Sequence, residues 1–151
     1  MRDEIIALAK SGLPVIADSR YNIGEYTDCI LKPNEVECWR AVYNNEGYID
    51  AGYDEFIEAA KLLAKKNRST VFCTLGKRGS IVTDGGRTEK ADAVLFDGEV
   101  DICGAGDTSL SAFSAAIAAK TEFKAAAQFA GLASGVTVRK IGVTGTASPE
   151  E

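Results

Sequence analysis

The clearest chemical pattern in this 151-residue chain is the segment Asp101-Ile102-Cys103-Gly104-Ala105-Gly106-Asp107-Thr108. Two glycines one residue apart stand directly before a helical pattern, so backbone N–H groups are left free at a helix N-terminus. Those donors and the helix dipole favour an anion such as a phosphate, and the missing Cβ atoms let the anion come close. The spacing therefore predicts an anion site beside Asp107.

Asp107 is the candidate base of this segment. An aspartate carboxyl is ionised at neutral pH, and next to a phosphoryl group it would accept the proton of an attacking hydroxyl. The chain has no histidine, so a general base must be a carboxylate, lysine, tyrosine or thiol. The alternative is that Asp107 only complements the helix dipole. The Gly-x-Gly-Asp spacing by itself leaves both interpretations open.

Other polar candidates follow two short apolar segments. Asn34 is a good helix N-cap, with Glu35 and Glu37 in the first turn. Arg20 and Lys32 stand at the ends of predicted strands, where ligands gather in parallel sheets. For both cations, contact with a phosphate and simple exposure to solvent remain open.

The elements that must position these residues follow from apolar periodicity and from turn residues. Helices are predicted over 2–11, 34–43, 53–66, 105–120 and 122–139. Strands are predicted over 13–17, 28–32, 70–75 and 80–83, with a further short strand near 93–96 and loops at 44–47 and 76–79. This order favours an α/β fold with a mainly parallel sheet.

Composition narrows the class of protein. With 46% hydrophobic and 26% charged residues, the chain is expected to form a single soluble domain over 1–151. A net charge of -5 argues against a nucleic-acid partner. No apolar run approaches the ~20 residues of a membrane span, and the acidic start is not a secretory signal, so a cytoplasmic location is expected.

The four cysteines contain no C-x-x-C pair, so neither a zinc site nor a redox dithiol is predicted. Cys29 and Cys73 lie in apolar runs and are expected to be buried, reduced thiols.

With its surroundings, the Asp101–Thr108 segment resembles the second signature of the PfkB family of carbohydrate kinases. Three further segments agree with the family in order and spacing. They resemble its K-P-N-x-x-E stretch, its T-x-G-x-x-G nucleotide turn and its G-x-x-x-S-x-P tail, and they comprise residues 31–37, 74–79 and 141–149. Residues 101–107 and 139–146 look most like the kinase domain of ADP-heptose synthase, which phosphorylates a heptose 7-phosphate at its anomeric hydroxyl.

The resemblance implies ATP-dependent phosphorylation of a sugar or sugar-phosphate hydroxyl. Asp107 would then be the catalytic base. The amides of Gly104, Ala105 and Gly106 would form an anion hole for the transferred phosphoryl group. Asp101 would contribute to a monovalent-cation site, with K⁺ as the implied ion.

The resemblance also implies cofactor contacts. Asn34 and Glu37 would help to hold Mg²⁺ and the phosphates through water, and Thr74 and Gly76 would lie near the ATP phosphates and ribose. We expect Gly104–Asp107 to face Asn34 and Glu37 across one cleft. The alternative is that these residues have local structural roles only. Asn34 and Glu37 would then be an N-cap and a first-turn acid, and a plain β-turn would explain the glycine.

The chain also departs from the family pattern. Gly131 stands where many members have an asparagine beside the nucleotide, and Cys103 is an unusual residue before the glycines. The family's N-terminal half, with its β lid, has no counterpart here. We therefore expect a three-layer, ribokinase-like α/β fold that lacks this part. It would represent the C-terminal nucleotide-binding portion, poorly active alone, with a separate N-terminal half or a second copy as a candidate partner.

Two alternatives accompany the prediction of a carbohydrate kinase. The first is a non-catalytic nucleotide-binding or interaction module, left by loss of the N-terminal half. The second is a hydroxymethylpyrimidine-type kinase of the same superfold. The pair Asn34 and Glu37 favours the sugar kinases, and a small-molecule sugar or sugar phosphate is the expected substrate.

Overall fold

A computed structural model of the chain describes residues 1–44, 51–148 and 150–151. Within that part the helices are α1 (Arg2–Lys10), α2 (Glu35–Tyr43), α3 (Tyr53–Asn67), α4 (Ala105–Ala118) and α5 (Phe123–Thr137). The strands are β1 (Ile16–Ala17), β2 (Ile30–Leu31), β3 (Thr70–Thr74), β4 (Ser80–Thr83) and β5 (Thr88–Ala91), and short 3₁₀ turns occupy Ile23–Glu25 and Gly76–Arg78. No helix in these residues is long and apolar enough to cross a membrane.

The described strands form one five-stranded sheet in the order β1-β2-β3-β4-β5. The first three are parallel neighbours, with Ile16 opposite Ile30 and Ile30 opposite Thr70. Parallel neighbours end at the same edge of a sheet, which is where ligands collect in such folds. The predicted α/β fold with a mainly parallel sheet is confirmed.

The described chain divides into two compact units, of which the first comprises residues 1–75 and 81–89. Its core lies where α3 packs on the parallel strands. Helix α3 buries the predicted apolar stripe, Phe56, Ala59, Ala60, Leu63 and Ala64, and it buries Ile57 as well. Cys29 and Cys73 are buried free thiols, which also confirms the prediction.

Asn67 anchors the end of α3 to the 3₁₀ turn at Ile23–Glu25. Its buried Nδ2 group donates to the carbonyls of Gly24 and Tyr26 at 2.8 and 2.7 Å. Gly24 is needed beside α2, because a Cβ atom there would lie 3.1 Å from the Cβ atom of Ala41. The polar anchor and the close approach together fix the turn between β1 and β2.

The second unit comprises residues 76–80 and 90–151. Helices α4 and α5 pack against each other in it. Phe113 and Phe123 stack with ring centroids 6.5 Å apart, and small buried residues allow close packing, namely Ala116, Ala126, Ala127 and Ala130. The Thr137 hydroxyl donates to the Thr108 hydroxyl at 3.0 Å. That the two units act as a single domain stays a prediction.

The predicted strand near 93–96 is wrong. The chain instead forms β5 earlier, at Thr88–Ala91, after a turn in which the Asp84 carboxylate accepts from the amides of Gly86 and Arg87, both at 2.8 Å. Residues 93–96 form no regular element. Val94 and Phe96 pack over Gly135 of α5, where a Cβ atom would meet them at 3.2 and 3.4 Å. Their apolar side chains therefore contact α5 rather than forming part of a strand.

The first two strands are shorter than predicted. Pro14 has no N–H to donate to a ladder, and Asp28 has a left-handed φ of 63°, which interrupts an extended strand. Of the loop predicted at 44–47, Asn44 is the left-handed C-cap of α2. Residues 45–47 lie outside the described part, as does Pro149 of the predicted tail motif.

Candidate functional site

Asn34 and Thr74 lie together where β2 and β3 end. They form an isolated parallel bridge, and the Thr74 amide donates to the Pro33 carbonyl at 3.0 Å. Both residues are half-buried. The sheet register thus brings two of the predicted nucleotide-site residues to the same edge.

Asn34 and Glu37 form a reciprocal cap at the start of α2. The Glu37 amide donates to Asn34 Oδ1 at 2.8 Å, and the Asn34 amide donates to Glu37 Oε2 at 2.9 Å. This bonding fixes the directions of both side chains and confirms the predicted N-cap. It leaves the Glu37 carboxylate half-buried with one oxygen committed to the helix.

Lys32 is buried and forms an ion pair. Its Nζ atom donates to Asp18 Oδ2 at 2.8 Å, and only 5% of the residue is exposed. The register that sets Ala17 opposite Leu31 explains the pair, because Asp18 and Lys32 are the next residues on β1 and β2. Sequence reasoning missed this ion pair, and the signal for it was the shared strand end. Arg20, in contrast, is exposed.

The predicted anion loop is placed at a helix N-terminus. Gly104 is the N-cap of α4 with a left-handed φ of 79°, and its carbonyl accepts from the Thr108 amide at 2.9 Å. The Ala105 amide donates to the Ile102 carbonyl at 3.2 Å. Within the described residues, no hydrogen bond is made by the amides of Gly106 and Asp107. The Asp107 side chain, in the first turn, is exposed.

A glycine is required at position 104 for steric reasons as well as for its backbone conformation. A Cβ atom at this position would lie 3.0 Å from the Thr144 methyl group and 3.5 Å from the Gly145 carbonyl oxygen. The Cys103 thiol lies 3.5 Å from the Thr144 hydroxyl. The anion loop therefore packs closely on the segment that follows α5.

Asp101 joins these two segments. Its Oδ1 atom accepts from the Cys103 amide at 2.9 Å, and its Oδ2 atom accepts from the Gly142 amide at 3.0 Å. These two bonds hold the pKa of the Asp101 carboxyl below its usual value. The Asp101 amide donates to the Val138 carbonyl at 2.8 Å. Sequence reasoning placed Asp101 in the site but missed its bonds to Gly142 and Val138, because these residues lie about 40 positions further along the chain.

The predicted site residues thus form two groups. Asn34, Glu37 and Thr74 belong to the first unit, whereas Gly76, Asp101 and residues 104–107 belong to the second. Gly76 opens an exposed 3₁₀ turn with a φ of 55°. That the two groups share one cleft stays a prediction. No cluster of three or more histidine, cysteine or acidic residues that could hold a metal ion occurs in the described part.

Residues 4–151 match the family described as pfkB family carbohydrate kinase. Curated relatives include the bifunctional protein HldE of Nitratiruptor sp., which is 32% identical over 95% of this chain and 30% of its own length. The HldE of Geotalea uraniireducens is 35% identical over 93% of this chain and 28% of its own length. The chain therefore spans less than a third of these relatives. They confirm the resemblance to the kinase domain of ADP-heptose synthase.

Solved structures share the fold. Phosphofructokinase-2 of Escherichia coli, in complex with potassium, aligns with a TM-score of 0.80 at 19% identity, over 99% of this chain and 50% of its own. Ribokinase of Arabidopsis thaliana, complexed with ribose and ATP, aligns with a TM-score of 0.74 at 24% identity, over 95% of this chain and 48% of its own. The ribokinase-like fold predicted from the sequence is confirmed.

Proposed function

Because this chain belongs to the PfkB family of carbohydrate kinases, we propose that it is the catalytic portion of an enzyme that transfers a phosphoryl group from ATP to a sugar or sugar-phosphate hydroxyl. One observation carries the proposal. The exposed carboxylate of Asp107 stands in the first turn of α4, beside backbone amides that have no acceptor among the described residues. A proton acceptor next to an anion site is what phosphoryl transfer to a hydroxyl requires.

Asp107 is the proposed general base. As the sugar oxygen attacks the γ-phosphorus, its proton passes to the Asp107 carboxylate, and the bond to the departing ADP oxygen breaks. The exposed position lets a substrate hydroxyl come within hydrogen-bond distance. A buried carboxylate at this position would have contradicted the proposal.

The amides of Gly104, Ala105 and Gly106 are the proposed anion hole. The Gly106 amide makes no hydrogen bond to a described residue, and the helix dipole adds positive potential at the same point. The Ala105 amide donates to Ile102, so it would have to exchange this bond to contact the phosphoryl group. Donors held in place before the reaction stabilise charge as it develops.

The other group of residues is the proposed site of nucleotide and Mg²⁺. The half-buried Glu37 carboxylate offers one oxygen that is not used by the cap, and Asn34 and Thr74 lie beside it on the sheet edge. A single carboxylate suits Mg²⁺, which usually keeps several waters and binds through one or two carboxylates and the substrate phosphates. When bound, Mg²⁺ would neutralise charge on those phosphates. Gly76 follows on the exposed turn after β3.

Both oxygens of the Asp101 carboxylate accept one backbone N–H group each, so a potassium ion would be held only through the remaining lone pair of each oxygen. No step of the proposed reaction depends on this ion. Among sugars, the HldE relatives favour a heptose phosphate as the first candidate substrate.

Nucleotide binding to the 151-residue chain tests the proposal. We expect an ATP analogue with Mg²⁺ to bind and to slow hydrogen exchange in both groups, around residues 34–38 and around residues 104–108. Protection confined to one group would contradict a shared cleft. A chain that binds no nucleotide would contradict the proposal and favour an interaction module.

Turnover by the isolated chain is the second measurement. We expect it to stay below the ~1–100 s⁻¹ of ordinary kinases, because the chain spans only half of the related kinase structures and in-line transfer depends on holding both substrates away from water. Ordinary turnover with a heptose phosphate or another sugar would show that the chain is sufficient by itself.

A further inference from the structure

We infer that Asp101 is a positioning residue, whose carboxylate clasps the segment after α5 onto the loop before α4. It thereby fixes the backbone that presents the anion-hole amides. The inference rests on the proposed function for its catalytic meaning, whereas the clasp is a property of the structure alone.

The clasp consists of three hydrogen bonds at one residue. The Asp101 carboxylate accepts from the Cys103 and Gly142 amides at 2.9 and 3.0 Å, and the Asp101 amide donates to the Val138 carbonyl at 2.8 Å. The Cys103 bond closes a tight turn directly before Gly104. The Gly142 bond reaches a residue with a left-handed φ of 72°. One side chain thus determines the local geometry on both sides of the α4–α5 pair.

The clasped segment in turn shapes the anion loop. The Thr144 methyl group stands where a Cβ atom on Gly104 would be 3.0 Å away, and the Thr144 hydroxyl lies 3.5 Å from the Cys103 thiol. Thr144 is two residues after Gly142, so its position depends on the bond from Asp101. Losing the clasp would release the packing that holds Gly104 in its left-handed conformation, and the amides at the start of α4 would no longer be held in place.

Replacing Asp101 with asparagine distinguishes the positioning role from a purely electrostatic effect of Asp101 on anion binding. The substitution removes a negative charge near the proposed phosphate site, and by Coulomb's law alone anion binding should tighten. The asparagine can accept only one of the two N–H groups, since its amide nitrogen is a donor. A positioning role therefore predicts weaker binding, which is the opposite sign.

Asp97→Asn is the matched control. Asp97 is exposed, lies four residues earlier and makes no hydrogen bond or ion pair with any described residue. The Asp97→Asn substitution removes one negative charge from the same unit and leaves the three hydrogen bonds of the clasp in place. Any difference between the two variants is then due to the hydrogen bonds of Asp101.

The experiment measures two quantities on the 151-residue chain and both variants. They are amide hydrogen exchange at Cys103 and Gly142, and the Kd for an ATP analogue with Mg²⁺. For Asp101→Asn we expect faster exchange at both amides and about tenfold weaker binding, the change for one lost hydrogen bond to a charged group. Asp97→Asn should leave both unchanged. Unchanged or tighter binding by Asp101→Asn would overturn the positioning role.

Two further arms keep the outcomes distinct. A wild-type chain that binds no nucleotide would contradict the proposed function, while exchange at Cys103 and Gly142 would still decide whether the clasp exists. If Asp101→Asn does not fold, Thr144→Ala removes the packing on Gly104 and keeps the carboxylate. Weaker binding by this variant supports the inference, and wild-type affinity overturns it. Potassium-dependent loss of protection at the two amides would also overturn it, because the carboxylate would then be a cation ligand.

Discussion

The side chains of Asn34 and Glu37 each accept a hydrogen bond from the other residue's backbone amide, at 2.8 and 2.9 Å. The two residues proposed to hold Mg²⁺ and phosphate are therefore also the cap of α2. Their loss would disturb the helix as well as the ligand. A useful variant must keep one role and remove the other.

Asn34→Ser is such a variant. Serine caps helices about as well as asparagine, so stability should change little, whereas Asn34→Ala should lower the free energy of unfolding by ~1 kcal/mol. If Asn34 helps to hold the nucleotide, both variants should bind an ATP analogue more weakly. Urea unfolding and equilibrium binding measure the two effects. Full affinity in Asn34→Ser would reduce Asn34 to a helix cap.

Asp107→Asn tests the proposed base in an enzyme that carries the whole ribokinase-like fold. The substitution keeps the shape and the anion hole but removes the proton acceptor, so kcat should fall by ~10²–10⁴-fold. Nucleotide affinity should change little or rise slightly, since one negative charge near the phosphates is lost. The measurement is kcat together with Kd for an ATP analogue, with Asp97→Asn as the control. Retained kcat would leave Asp107 as an aspartate that only complements the helix dipole.

Acid should weaken the first unit through Asp28. Its carboxylate accepts from Nε and Nη2 of Arg68 at 3.2 and 3.1 Å, and these bonds lower the pKa of Asp28 in the folded state. A lowered pKa stabilises the fold above the ordinary aspartate value of ~3.9, and the stabilisation is lost as pH falls through the lower folded value. Lys10, 3.9 Å away, adds to the effect.

The check is the free energy of unfolding from about pH 7 to about pH 3 for wild type and Asp28→Asn. Asparagine tolerates the left-handed φ of this position, so the variant removes the charge without new strain. We expect a deficit relative to wild type at neutral pH that shrinks in acid. A deficit independent of pH would show that the ion pair is not its cause.

Thiol reagents should distinguish Cys103 from the other cysteines. Cys103 is exposed, whereas Cys29, Cys38 and Cys73 are buried. A hydrogen bond with the Cys38 thiol, together with burial, raises the pKa of Cys73 well above its usual value, which disfavours the reactive thiolate. One thiol per native chain should react quickly, and all four after denaturation. Native Cys103→Ser should react slowly, and a rapid reaction there would show that the first unit opens.

Much of the fold could be predicted because it depends on local patterns. The stripe from Phe56 to Ala64 defined α3, and Asn34 and Gly104 marked the starts of α2 and α4. The error near 93–96 had a long-range cause. Val94 and Phe96 have strand-like composition, but they pack on Gly135 of α5.

The site shows the same division. The place of Asp107 in the first turn of α4 could be predicted from its neighbours, because helix-start glycines and a first-turn acid are local signals. The partners of Lys32 and Asp101 could not be assigned in this way. Lys32 meets Asp18 through strand register, and Asp101 meets Gly142 through the packing of two helices. Such contacts depend on tertiary structure, which leaves no short-range trace in the sequence.

The Asp101–Val138 bond has a further consequence for how this part of the protein can change. It sets the entrance and the exit of the α4–α5 hairpin within 2.8 Å of each other, N to O. A segment whose two ends meet can be exchanged as a cassette, because the flanking chain is not moved. Insertions at the far end of the hairpin, around the exposed residues 119–122, would likewise be accommodated without disturbing the anion loop. Asp107, the proposed general base, thus lies at the fixed base of a module whose tip is free to diversify.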